Sequence, residues 1–208
     1  MTGLRERKKQ ATRVALREAA LRLAIEHGPA NVRVDDIAEA AGVSPRTYNN
    51  YFSSREEAIV AAVTADRESR IAAAVTARPP DTRLADAILD AIAEQYTDPG
   101  EQSRDALLLI TTNPGLRTAF LDAPAALEDP LQEAIAARIE NPRTARVLAA
   151  SVAAAVRVAL EEWTQPAGNG LVVVSGSLPE LLRRTLAPLV PALDAADADG
   201  PGRRREGP

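Results

Sequence analysis

The chain contains no cysteine and a single histidine, His27. The first absence excludes a disulfide framework and any thiolate metal site. The second leaves histidine-based metal or triad chemistry without partners, so no metal and no cofactor is expected. No basic-then-apolar leader opens the chain, and a secretory signal is not expected. Long apolar runs are missing as well. The longest, Val147 to Leu160, is cut by Arg157 and is too short and too rich in alanine to span a bilayer. These absences describe a soluble, cytoplasmic protein with no membrane partner.

Catalytic groups are equally scarce. A hydrolase needs a nucleophile, a base and a group that orients the base. His27 stands beside Gly28 at the expected end of a helix, where capping or covering that helix accounts for it. Ser175-Gly176-Ser177 resembles a phosphate loop only superficially, and Ser177 is better explained as a helix N-cap. The acid pairs Asp35-Asp36 and Glu161-Glu162 are adjacent in sequence, so their side chains diverge on a helix. No catalytic residue is assigned, and an enzyme is not expected.

What the chain does have is helix. Alanine, leucine and arginine dominate its 208 residues, β-branched runs are rare, and apolar positions recur at threes and fours. Prolines and glycines divide this pattern into about nine helices, an all-α fold. The first helix is expected from about Lys9 to Glu26, burying Ala15, Ala19 and Leu23. A short second helix covers Val34 to Ala41, and Gly42 follows, free to take the left-handed conformation of a sharp helix-helix turn. Ser44 caps a third helix with Pro45 at its first position, and that helix runs to about Phe52. Ser54 and Glu57 form a capping box for a fourth helix reaching about Ala77.

Further on, Leu84, Ile88, Ile92 and Tyr96 mark a fifth helix, and Ala106 to Ile110 a sixth. Leu116 to Ile139 is helical but interrupted by Pro124 and Pro130. Pro142 to Trp163 is the longest uninterrupted helix. Ser177 and Glu180 make a second capping box for a last helix that Pro188 and Pro191 bring to a close. Leu171-Val172-Val173-Val174 is strand-like without a partner strand and reads as an apolar loop. The 194–208 tail, with Arg203-Arg204-Arg205, lacks large apolar residues and is expected to be disordered.

Charge is distributed unevenly. Residues 1–55 carry ten Lys/Arg against six Asp/Glu, whereas the remainder carries fifteen against twenty-three. A basic head on an acidic body points the head toward a polyanion. The stretch Val34 to Phe52 supplies the means. Two short helices joined at Gly42 pack around Ile37, Ala38, Ala41, Val43, Tyr48 and Phe52. The second keeps a polar outer face of Pro45, Arg46, Thr47, Asn49 and Asn50, suited to the major groove.

Residues 11–60 resemble the DNA-binding domain of the tetracycline-repressor (TetR) family of bacterial regulators. The resemblance rests on the Asp36-Ile37-Ala38-Glu39-Ala40-Ala41-Gly42-Val43-Ser44 core, on the Arg46-Thr47 opening of the recognition helix, and on Tyr51-Phe52 followed by Ser54-Arg55-Glu56-Glu57. It implies a helix-turn-helix head over 1–55 and a larger helical body over 56–193 that binds an effector and dimerises. Arg46 and Thr47 then reach base edges or phosphates, with Ser44 and Pro45 at the same helix start. Asn49 and Asn50 are able to bond adenine or phosphate. Tyr51 and Arg55 read as phosphate clamps, Arg33 stands at a phosphate-facing position, and the start of the fourth helix offers an anion-binding end. Many relatives place an aromatic where Asn49 stands, so no base preference carries over.

Asn113-Pro114-Gly115-Leu116-Arg117-Thr118-Ala119-Phe120-Leu121, with Arg138 and the helix ending at Trp163, resembles the acyl-CoA-like ligand-binding subgroup. Pro124 and Pro130 depart from its long helix. Tyr96, Leu108, Leu109, Phe120 and Trp163 are apolar pocket residues on this reading, with Arg117 or Arg157 meeting an anionic group. The 143–163 helix is apolar on two faces and must bury both. With the 177–187 helix it would form a homodimer interface, and the dimer would read a pseudo-palindromic operator whose half-sites lie roughly 34–36 Å apart or more. The expected function is a transcriptional repressor released from double-stranded DNA by a small molecule, the alternative being a helical protein-interaction module or a regulator that needs no ligand.

Overall fold

A computed structural model describes residues 2–64, 67–97, 102–164 and 177–198. The helices are α1 (Thr2–His27), α2 (Val34–Ala40), α3 (Pro45–Tyr48), α4 (Arg55–Thr64), α5 (Arg67–Ala77), α6 (Leu84–Thr97), α7 (Gln102–Thr112), α8 (Pro114–Asp122), α9 (Glu128–Ala136), α10 (Pro142–Trp163), α11 (Leu178–Leu186) and α12 (Val190–Ala198). Tighter 3-10 turns lie at Pro29–Asn31, Ala123–Leu127 and Ala187–Leu189. No β-strand occurs among the described residues, as an all-α fold requires. The strand-like 171–174 run, Ser175-Gly176 and Arg203 to Arg205 lie outside those residues.

Two compact units emerge, one from Met1–Ala65 with Gly100–Phe120, the other from Asp66–Pro99 with Leu121–Pro208. The first therefore reaches past the expected boundary at residue 55, taking in α4, α7 and most of α8. In it, α1 packs on α4 and α2, α2 on α3, and α7 on both α1 and α4. The buried stripe of α1 is Leu16, Ala19, Ala20 and Ala24. Of the residues expected there, Ala19 is buried, while Ala15 and Leu23 are half-buried at its margins. The helix also starts earlier than its apolar pattern suggests, because residues 2–13 are polar and carry no periodic stripe.

In the second unit, α10 packs on α9, α11 and the Ala123–Leu127 turn, while α6 packs on α5, α11 and α12. Asn141 caps α10 through Oδ1, which accepts from the N–H groups of Arg143 and Thr144, and Pro142 fills the first position. The buried side is Ala145, Leu148, Ala149, Val152, Ala153, Val156, Ala159, Leu160 and Trp163, at the three-four spacing of one helical face.

Proline behaves here as a starter more often than as a stop. Pro124 does replace α-helix by a 3-10 turn, but Pro130 sits in the first turn of α9, where no intrahelical N–H is needed. Pro191 likewise lies in the opening turn of α12. Residues 194–198, expected within a disordered tail, are helical instead. The reason is burial: Leu193 is fully buried and Asp197 is buried and bonded. Asp197 Oδ2 accepts from the Leu84 N–H at 3.0 Å, capping α6, and Oδ1 accepts from Arg138 Nη2 at 3.1 Å. Arg83 pairs with Asp194 beside it. The capping boxes also differ from expectation. Ser177 makes no side-chain cap bond. At α4, Ser54 Oγ accepts from the Glu57 N–H as predicted, but Glu57 reaches back to the N–H and hydroxyl of Ser53.

Candidate nucleic-acid interface

The turn between α2 and α3 forms as its residues require. Gly42 has φ +68°, the left-handed region in which a side chain is strained. Its N–H bonds the Glu39 carbonyl and the Val43 N–H bonds the Ala38 carbonyl, so the last carbonyls of α2 are satisfied within the turn. Ser44 then caps α3, its Oγ accepting from the Thr47 N–H at 3.1 Å and lying 2.9 Å from the Thr47 hydroxyl. Regular α-helix ends at Tyr48, earlier than the expected Phe52. The chain continues helically, with tighter bonds from the Asn50 N–H to Thr47 and from the Tyr51 N–H to Tyr48.

What holds α3 in place is its inner side. Tyr48 and Phe52 are buried with ring centroids 5.8 Å apart. Ile37 and Ala38 of α2 and Val32 are buried in the same unit, while Ala41 and Val43 are half-buried. The Tyr48 hydroxyl donates to the Ser54 carbonyl at 2.7 Å, tying α3 to the start of α4. Burial, with Glu57 and Glu56 nearby, pushes this phenol well above its ordinary value, so it stays a donor at any ordinary pH.

With the inner side fixed, the outer one is presented. Ser44, Pro45, Arg46, Asn49 and Asn50 are exposed, and Thr47 and Tyr51 are half-exposed. Arg33 is exposed too, and its backbone N–H bonds Asp36 Oδ2 at the first turn of α2. Arg55 is placed differently. Its Nη1 donates to the carbonyls of Val32 at 2.8 Å and Ala30 at 3.2 Å, and its Nε to Glu56 Oε1 at 2.8 Å. This guanidinium staples the segment leading into α2 to the first turn of α4. With Glu56 and Glu57 in that turn, the start of α4 is occupied by carboxylates of the chain itself.

Sequence reasoning singled out no residue of α1 for this surface. Arg13 lies over the Phe52 ring, 5.3 Å from its centroid, beside the helix-turn-helix. Arg5, Arg7, Lys8 and Lys9 precede it, all exposed. The signal was present in the i, i+4 recurrence of Arg5, Lys9, Arg13 and Arg17. The pocket residues named from sequence divide between the units: Leu108, Leu109, Arg117 and Phe120 fall in the first, Tyr96, Arg157 and Trp163 in the second. Phe120 and Trp163 are buried, whereas Leu108 is 63% exposed. Arg157 is also exposed and pairs with Asp122 at 3.2 Å and Glu161 at 2.9 Å. Among the described residues no group of three or more metal-ligating side chains occurs, and no helix is long and apolar enough to cross a membrane.

A short, capped helix with a buried aromatic inner side and an exposed Arg/Asn outer side, preceded by a glycine turn, defines a helix-turn-helix DNA-binding protein. Residues 16–62 match the bacterial regulatory proteins of the tetR family, and residues 78–194 match the MftR C-terminal domain. The chain is 31% identical over 186 residues to the HTH-type transcriptional regulator TcmR of Streptomyces glaucescens, covering 83% of this chain and 82% of that one. It belongs to the TetR family, and is a DNA-binding transcriptional regulator. Two solved structures are more distantly similar. The fatty acid degradation regulator FadR from Bacillus halodurans shares 17% identity at a TM-score of 0.43, over 86% of this chain and 94% of its own. A tetR-family transcriptional regulator from Streptomyces coelicolor shares 17% identity at 0.41, over 93% of each chain.

Proposed function

We propose that the protein is a homodimeric, cytoplasmic repressor that holds a pseudo-palindromic operator through α3 and is released by a small molecule. The observation that carries the DNA-reading part is the exposed set Pro45, Arg46, Asn49 and Asn50 on a helix whose other side is locked by Tyr48 and Phe52. Arg46 and Asn49 read base edges, and Ser44, Thr47, Asn50, Tyr51 and Arg33 contribute phosphate or base contacts around them. Arg55 acts mainly by fixing the approach to α2, with its charge adding to the phosphate field.

Dimerisation is supported by the second face of α10. Val147 is 58% exposed and Val158 50% exposed, with exposed Ala154 and half-buried Ser151 between them at the same helical spacing. These small and branched side chains suit close approach of a twin helix, and α11 packs on the same α10. An effector can release DNA only by favouring a conformation whose recognition helices no longer fit the groove.

Selection of random double-stranded DNA by the purified protein at two salt concentrations, with sedimentation to fix the stoichiometry, tests this reading. One pseudo-palindrome that persists at the higher salt, bound by two chains, is the expected result. Recovery of only salt-sensitive, sequence-independent binding would reduce the basic head to a phosphate holder and overturn the proposal.

A further inference from the structure

Among the described residues, the second unit contains buried donors with no hydrogen-bond partner. Arg67 Nε, Arg138 Nη1 and Trp163 Nε1 are fully buried with no hydrogen-bond partner. Arg138 is accounted for, because its charge is neutralised by Asp197 at 3.1 Å. Arg67 is not. Among the described residues no carboxylate pairs with it. Its guanidinium lies over the Tyr96 ring instead, 4.3 Å from the centroid. Burial raises the Tyr96 hydroxyl, while the Arg67 charge and a hydrogen bond with Arg67 pull it back. The Arg67 Nε and the Trp163 indole N–H, two buried donors lacking acceptors, are costly unless something supplies those acceptors.

The helices bring these groups to one end of the unit. Arg67 opens α5, Tyr96 lies in the last turn of α6 and Trp163 ends α10. The Ala123–Leu127 turn packs on both α5 and α10, and the Asp122–Arg157 pair fixes it beside the C-terminal half of α10. The opposite end is marked by Arg138, Asp197 and the start of α6. One turn inward from each polar group the same helices are apolar and buried, at Ile71, Ile92, Ala159 and Leu160.

We propose that Arg67, backed by Tyr96 and joined by the Trp163 indole N–H, is the recognition site for the carboxylate of a small acid with an apolar body. Two donors, one of them charged, call for an anionic acceptor, and the apolar turns behind them call for a hydrocarbon part. This assignment rests on the regulator reading for its consequence, since it names the chemical class of the effector. It explains why Arg157, exposed and already paired, is not the anion partner.

The protein carries one tryptophan, so its emission reports on the site directly. The test titrates the full-length protein with benzoate, cyclohexanecarboxylate and decanoate, each against its primary amide, following Trp163 emission and thermal stabilisation. At least one carboxylate is expected to bind saturably and about tenfold or more tighter than its amide, as a charge-assisted bond in a buried site provides. Arg67→Met is expected to abolish that preference and Arg67→Lys to retain part of it, both with unchanged circular dichroism. Operator binding by the ligand-free Arg67→Met protein is expected to match wild type. Absence of saturable binding by all three acids, equal affinity for acid and amide, or an undiminished preference in Arg67→Met would overturn the assignment. Carboxylate binding through Arg67 without sequence-specific DNA binding would leave the site standing and remove the regulatory reading. Operator binding without any acid response would do the reverse.

Discussion

The two units treat polar groups in opposite ways. In the first, the polar side chains around α2, α3 and α4 are engaged or displayed: Ser44 caps α3, Arg55 and Glu57 staple loops, the Tyr48 hydroxyl finds the Ser54 carbonyl, and Arg46, Asn49 and Asn50 face outward. In the second, Arg67, Arg138 and Trp163 each retain a buried donor with no partner. A surface that reads DNA gains from being rigid before DNA arrives, because less ordering is needed on binding. A site for an effector must instead retain bonding capacity that only the effector fills. The contrast is the physical basis for assigning recognition to one unit and sensing to the other.

Breaking the rigid unit should have the largest effect. Phe52 is 2% exposed and packs against Tyr48, so Phe52→Ala is expected to cost about 4 kcal/mol in urea unfolding and to abolish operator binding. In the other unit, Asp197→Ala strips Arg138 of its counter-charge and Leu84 of its cap. A loss of about 3 kcal/mol in thermal unfolding is expected, and a change under 0.5 kcal/mol would mean that α12 is not anchored as described. Arg46→Ala should leave stability unchanged but relax operator choice by about 1–3 kcal/mol at one base pair of each half-site, measured by competition between operator variants. Smallest is Gly42→Ala. The space around Gly42 is open, so only the left-handed backbone at φ +68° is strained, at about 1–2 kcal/mol by urea unfolding. No measurable loss there would show that the turn relaxes out of this conformation.

The helix-turn-helix was legible because its determinants are local. Gly42, Ser44 and Pro45 act within a few residues of themselves, and the apolar spacing of Ile37, Ala38, Tyr48 and Phe52 marks the buried side. The long helix Pro142–Trp163 was legible in the same way, from one cap and one stripe. What escaped depends on distant partners. Nothing near Arg55 announces that it bonds Val32, 23 residues away. Asp197 stabilises helix beyond Pro191 by reaching Leu84, 113 residues back. The polar opening of α1 has no apolar stripe to betray it. Arg67 carries no motif at all, and its importance appears only once a tertiary fold buries its Nε without a hydrogen-bond partner.

The central claim is that α3 and its flanks, and not the acidic unit, meet the DNA. Amide hydrogen exchange on the full-length protein, with and without its selected operator, tests this most directly. Slowed exchange over residues 44–52 and in the first turns of α1 and α2, with no slowing in α9 or along the buried side of α10, is the predicted result. Unchanged exchange over 44–52 while the operator is bound would contradict the account.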